Sequence, residues 1–349
     1  MDTNQDEIPA REGWVFTAAI RWCLARLGIW GGMTLLLALL AGVLAMPAAE
    51  WMEGTVGSRY APGQVSAGLD TVFRADHGGA MGRLSQGQVA SAVVLQVLAL
   101  LLGVFAAGGW LQVTLERKRG KTLRRFLFGG SRYFLRYLRV ALLALAVIAI
   151  FRWTLYGLPW KALVLDGMFE VPKSDWSRLE SLDSELLVRR LGWIQDGSMA
   201  LLFALTMAWA VYTRTRLALH DSRSVLWAGG CTALSILRHP IQTLRPLILL
   251  LFAEALVVVG ICGLATDFFD GRLTSQPSTW WVLALGGTGF FALAWREILR
   301  GARYHAAVSV SRQVVKPTLR PDPWRVIGGP GGPQYPVDDD LDERYGVAL

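Results

Sequence analysis

Residues 114–158 read TLERKRGKTLRRFLFGGSRYFLRYLRVALLALAVIAIFRWTLYGL, and this stretch decides the fold class. Its first part carries nine cations, Arg117, Lys118, Arg119, Lys121, Arg124, Arg125, Arg132, Arg136 and Arg139, against one acid, Glu116. Its second part, Val140–Leu158, is hydrocarbon interrupted only by Arg152. A run of roughly 20 apolar residues crosses a ~30 Å hydrocarbon layer as a helix. A flank so rich in Lys and Arg belongs on the cytoplasmic side. Between the two, Leu123, Phe126, Leu127, Gly130, Phe134, Tyr137 and Leu138 share one helical face, with the arginines largely off it. That pattern suits an amphipathic helix in the inner-leaflet interface. The nine cations are then candidate contacts for anionic lipid headgroups, each worth about 1 kcal/mol at a charged surface. A helix packed across the cytoplasmic ends of a bundle would carry the same pattern.

Comparable apolar blocks recur at Leu27–Ala49, Val89–Val113, Ser198–Leu217, Pro246–Ala265 and Thr279–Leu299, giving six spans with Val140–Leu158. The fourth, Ser198–Leu217, is the weakest, because its apolar part stops at Val211, before Arg214 and Arg216. A five-span alternative drops it. Of 349 residues, 53% are hydrophobic and 18% charged, where soluble domains carry about 25% charged residues. With a mean hydropathy of +0.38, this excludes an ordinary soluble enzyme, a disordered chain and a disulfide-rich secreted scaffold. The net charge of +8 would suggest nucleic acid in a soluble chain. Here the cations sit beside apolar blocks, so the expected partners are the bilayer, anionic lipids and other membrane-protein subunits, with no nucleic acid. The bias of Arg over Lys fits a GC-rich bacterial genome.

The expected fold is all-α, a polytopic membrane protein of about six transmembrane helices with cytoplasmic amphipathic interfacial helices. Residues 1–26 form a cytoplasmic segment, with Phe16, Ala19, Ile20, Cys23, Leu24 and Leu27 on one helical stripe; Arg21 and Arg26 hold its end at the inner surface. Residues 27–311 form the membrane domain. Residues 312–349, rich in Pro, Gly and acids, read as a disordered cytoplasmic tail. Segment 212–245 holds five arginines against Asp221, while segments 50–88, 159–197 and 266–278 are at least as acidic as basic. The positive-inside rule therefore places both termini in the cytoplasm of a multi-pass inner-membrane protein. The first span lacks a clear cleavage site and is expected to persist as a signal anchor.

The two basic loops resemble each other. Trp110 precedes one and Trp209 the other, and Gly129–Gly130 and Gly229–Gly230 lie 100 residues apart. This order suggests an internal repeat of span, amphipathic helix and span, although two positive-inside loops can look alike by chance. In the outer loops, Ser177 and Glu180 fit a capping box for a short helix on the outer face. Segment 50–88 shows no periodicity.

Charged groups inside spans are costly and are functional candidates. Glu254 lies about 12 Å and Arg152 about 18 Å along their spans from the cytoplasmic end. The two are close enough in depth to pair, and Arg296 is a second possible partner for Glu254. Such a pair fixes helix register or forms a proton or substrate site. Gly28 and Gly32, and the Gly286–Gly289 cluster, have spacings suited to close helix packing. The 15 tryptophans, including Trp51, Trp110, Trp160, Trp193, Trp280 and Trp281, read as interface anchors. His220–Asp221 has no nucleophile beside it, and no phosphate-loop, zinc-peptidase or serine-elbow motif occurs. Catalytic residues, metal and cofactors are therefore expected to be none, and Cys23, Cys231 and Cys262 match no zinc motif or disulfide frame.

The order of spans and Gly-Gly basic inner helices over about residues 12–311 resembles uncharacterised bacterial six-span proteins. It is also similar to the membrane domain of some glycerophosphodiester phosphodiesterases, without their soluble barrel. The resemblance implies a membrane module without hydrolase activity and transfers no functional residue. The expected role is a non-enzymatic structural or accessory subunit, or a lipid-handling module. The alternative is a small secondary transporter using an intramembrane Arg152/Glu254 site.

Overall fold

Pro240 and the stretch before it show how this chain builds its helices. Proline has no N–H to donate, and it disfavours helical geometry in the residue before it. His239 accordingly leaves the helical region, at φ −132° and ψ 60°, and one helix ends there. No such breaker lies between Thr122 and Tyr156, and that stretch is one continuous helix.

The computed structural model describes residues 14–56, 71–116, 121–167, 185–220, 224–275 and 279–314. Among the described residues all regular structure is helical. The helices are α1 (Trp14–Leu24), α2 (Leu27–Val56), α3 (Thr71–Leu115), α4 (Thr122–Tyr156), α5 (Glu185–Leu219), α6 (Val225–Arg238), α7 (Pro240–Ala255), α8 (Cys262–Ser275) and α9 (Thr279–Val314). A short turn at Leu158–Trp160 runs into a π-helical turn at Lys161–Asp166, and a second π turn, Leu256–Ile261, joins α7 to α8.

Among the described residues, six helical stretches are long and apolar enough to cross a membrane: Leu27–Trp51, Val89–Leu115, Thr122–Val164, Arg189–Leu219, Pro240–Arg272 and Thr279–Arg312. The chain is an all-α multi-pass membrane protein. The most apolar windows of these stretches are only 11–22% buried. Leu39, Val97, Ile150, Leu201, Val259 and Leu283, one from each, are all more than half exposed. Apolar side chains turned outward in every span are at home in hydrocarbon.

The chain divides into two compact units, residues 1–132 with 249–306 and 338–349, and residues 133–248 with 307–337. In the first, burial concentrates in Val104–Val113, Phe126 and residues 294–306. In the second it falls on Tyr133–Ala144, Thr206–Leu217, Val225–Thr232 and Val308–Val310. These are the arginine-bearing ends of the spans. Lipid tails are as apolar as leucine, so helices there associate through close packing and polar contacts. The buried stretches are correspondingly rich in Gly, Ala and Thr.

Several expected boundaries shift. The amphipathic segment and the third span are the single 35-residue α4, whereas α6 and the span after it are separate helices. The segment read as lacking periodicity is helical from Thr71, within the 45-residue α3. The short helix expected on the outer face after residue 177 is, from Glu185, the start of α5 and continuous with the fourth span; its capping box lies outside the described residues. The sixth span continues to Arg312. The tail after Val314 and the candidate lipid contacts Arg117, Lys118 and Arg119 also lie outside the described residues.

Candidate functional site

The charges of the first unit gather on α9. Arg296, Arg300 and Arg303 are spaced by four and three residues, which places them on one helical face. Glu254, in the last turn of α7 before the π turn, meets this row. Its Oε1 is 3.6 Å from Arg296 Nε, and its Oε2 is 3.0 Å from Arg303 Nη2. Arg303 is buried and Glu254 half-buried, while the Arg296 side chain is about half exposed. The Oε2 atom has no aligned N–H donor despite its proximity to Arg303. The contact is therefore an ion pair by distance without the directional hydrogen bond. On the same helix the buried Glu297 takes Arg300, with Nη1 at 2.7 Å from Oε1 and donating to Oε2 at 3.0 Å. The Arg300 guanidinium fits against Gly103 of α3, 3.6 Å from where a Cβ would stand. Three guanidiniums thus face two carboxylates, and the cluster keeps one excess positive charge.

Of the two partners expected for Glu254, Arg296 is found beside it within its own unit. Both ion pairs of Glu254 are made inside its own unit, with Arg296, as one alternative held, and with Arg303. Arg152 is exposed in the other unit. It lies one helical turn before Tyr156 and close enough to act on it electrostatically, and the Tyr156 hydroxyl donates to Asp196 at 2.6 Å. A long arginine reaches for the polar end of its span rather than stay in hydrocarbon. The spacing of Arg296, Arg300 and Arg303 signals the row in the sequence. It is missed if the span is ended at Leu299.

Close helix packing lies elsewhere than the expected glycine patterns. A Cβ on Gly28, Gly32, Gly286, Gly287 or Gly289 would meet nothing within 4 Å. On Gly108 it would lie 2.6 Å from the Gly129 carbonyl oxygen, and on Gly129 it would overlap Gln112 Cβ. On Gly130 and Gly109 it would strike the rings of Phe105 and Phe126. Helices α3 and α4 meet there backbone to backbone. The approach brings Glu116 onto Arg125 Nε at 3.0 Å, and Gln112 Nε2 also donates to Glu116. Arg125 is thereby neutralised, and Arg132 and Arg136 are half-buried. Of the nine loop cations, Lys121, Arg124 and Arg139 are the described ones left exposed. Leu123 and Leu127 of the expected stripe are also exposed, and the inward face is Phe126, Gly130, Tyr133, Tyr137 and Val140.

Trp110 is no interface anchor. It is fully buried, with rings of Trp22 and Phe126 at 6.0 and 5.9 Å and the Gly301 backbone against it. Trp22 also carries the Arg26 guanidinium 3.5 Å over its ring and lies 4.7 Å from His305. Burial lowers the pKa of Arg26 and raises that of the Cys23 thiol. Trp193 and Trp280 are well exposed, as anchors should be.

In the second unit, Trp209 Nε1 donates to Gly229 O at 3.0 Å, and its ring leaves no room for a Cβ on Gly229. In each basic loop the preceding span therefore packs on the glycine pair, by backbone approach in one and by an indole in the other. Tyr137 donates to Arg214 O at 3.1 Å and Tyr212 to Thr243 O at 2.7 Å. No protein-family model, characterised protein or solved structure matches the chain.

Proposed function

We propose that this protein is a non-enzymatic structural or accessory module of the bacterial inner membrane, with both termini in the cytoplasm and lipid-contacting helices on that face. The observation that carries the reading is the double engagement of Glu254 by Arg296 and Arg303. A carboxylate that carries protons or substrate must let go of its partners during the cycle. One clamped between two arginines of a single helix serves register. Support for lipid contact comes from α4 and α6. Leu123, Leu127, Phe128 and Leu135 stand exposed beside Arg124 and Arg139. Leu226, Trp227, Leu234 and Leu237 stand exposed on α6, whose 14 residues span about 21 Å, too short to cross. Matching loops at Trp110 and Trp209 favour an internal repeat.

The test combines extraction into native nanodiscs with one variant. A stoichiometric protein partner by mass spectrometry supports the accessory role. Glu254→Gln should lower stability by about 1–3 kcal/mol, below the loss from a fully buried pair because Glu254 is partly exposed. A variant that keeps wild-type stability but abolishes an ion or proton flux measured in liposomes would reverse the reading in favour of transport.

A further inference from the structure

A cavity in the second unit lies between the end of α5, α6, the start of α7 and the end of α9. It is lined by Tyr212, Arg216 and His220, by Thr232, Ser235 and Thr243, by Leu219, Ile236 and Val310, and by Ser311. Its space is about 420 Å³ with the open mouth and the solvent in it included, so a ligand here sits at the mouth and stays partly in contact with its surroundings. No residue of the Glu254 cluster lines it, so a ligand bound here is independent of the structural role of that cluster.

The balance of donors inside this cavity is uneven. Among the described residues Arg216 has no carboxylate within 4.0 Å, and its one hydrogen bond is a long contact of 3.5 Å from Nη1 to Ser235 Oγ. Most of its five N–H groups are therefore unused. Thr232, Thr243 and Ser235 already donate to the carbonyls of Ala228, His239 and Cys231 at 2.7, 2.7 and 2.9 Å, and Tyr212 donates to Thr243 O. The remaining donors are the guanidinium, the Ser311 hydroxyl and the His220 ring N–H. Among the described residues, donors without acceptors around a cation that meets no carboxylate call for an anion with several oxygens. A guanidinium meets phosphate and carboxylate oxygens in pairs. One permanent cation matches one negative charge, and Leu219, Ile236 and Val310 provide apolar wall for carbon attached to it. The exposed apolar face of α6, Leu226, Trp227, Leu234 and Leu237, suits a helix lying in the interfacial plane, at headgroup depth.

We infer that the cavity around Arg216 binds a phosphate-type anion, with the phosphodiester of an anionic lipid headgroup as its preferred source and free phosphate as the other.

The experiment uses the full chain in mild detergent, titrated with phosphatidylglycerol and followed by native mass spectrometry. Inorganic phosphate and phosphate-free diacylglycerol form parallel arms. One phosphatidylglycerol should be retained per chain. Arg216→Gln should weaken retention at least tenfold, and Ser311→Ala about threefold. Arg238→Gln, an exposed arginine of α6 outside the lining, should change it less than twofold. Inorganic phosphate that displaces the lipid from wild type, and not from Arg216→Gln, supports the site with the soluble source. Equal retention of diacylglycerol overturns the proposal. So does unchanged binding in both Arg216→Gln and Ser311→Ala; the second variant keeps the test open if the first fails to fold. Asp221 comes directly after the cavity residue His220 in sequence and lies outside the described residues. Asp221→Asn should leave affinity unchanged, and a tenfold gain would mean that its carboxylate already fills the place of the anion.

Discussion

Replacing Gly108 with alanine tests the helix contact on which the first unit is built. The added Cβ would lie 2.6 Å from the Gly129 carbonyl oxygen and 3.2 Å from both Gly129 C and Gly130 Cα. Ordinary contact starts near 3.4 Å, so α3 and α4 must part by about 0.8 Å. All three opposing atoms are backbone, and no side chain can rotate aside. Overpacking of a tight contact costs about 1–3 kcal/mol, and alanine returns about 0.5–1 kcal/mol through helix propensity. The net loss should be about 1 kcal/mol. Gly32→Ala is the matched control, because its Cβ meets nothing within 4 Å. It should stabilise by about 0.5–1 kcal/mol. Both variants are unfolded by heat in one detergent. At roughly 2–4 °C per kcal/mol for larger chains, Gly108→Ala should melt about 2–4 °C below wild type and Gly32→Ala slightly above it. If the two melt together, or in the reverse order, the backbone approach at Gly108 does not hold these helices.

Two further predictions concern groups outside the spans. Cys23 is fully buried, and burial raises its thiol pKa, so it resists maleimide at pH 8. Half-buried Cys231 should label first, and Cys231→Ser should remove most of the signal; strong labelling that survives in a Cys231→Ser, Cys262→Ser double variant would contradict the packing of α1. His220 has its pKa lowered from the usual histidine value by partial desolvation and by Arg216. The other lining groups are Tyr212 from α5 and only hydroxyls and aliphatic carbon from α6, α7 and α9. A depressed histidine pKa makes the empty protein less stable as pH falls through about 6.5. Phosphatidylglycerol, whose own charge stays constant there, should bind more tightly over the same fall, and a flat affinity from pH 7.5 to 5.5 would contradict His220 facing the anion.

Span number and helical class were legible because a ~20-residue apolar run has few other uses. Helix ends were harder. Nothing in the apolar pattern marks where α3 begins at Thr71, while Pro240 marks the start of α7 openly. The expected stripe on α4 took in Leu123 and Leu127, since leucines facing lipid and leucines facing a core have the same periodicity. Gly28 and Gly129 are likewise the same residue type, and only the neighbour across the helix pair separates an idle glycine from an indispensable one. Glu254 stands out in the sequence as a charge inside a span. Its partner Arg303 was missed because the sixth span was closed at Leu299, one turn before the arginine row completes itself.

The contrast between α4 and the α6–α7 break has a mechanical consequence. Helix α4 is a single rod of 35 residues, about 52 Å long. A pull or twist applied at Thr122, by a lipid or by a bound protein, is carried along an unbroken hydrogen-bond ladder to Tyr156 at the far end. The corresponding load on Val225 meets a joint at His239 and is absorbed there as rotation about φ and ψ. Of the two basic loops, the first therefore continues into its span as a stiff rod, and the second is jointed to its span at His239.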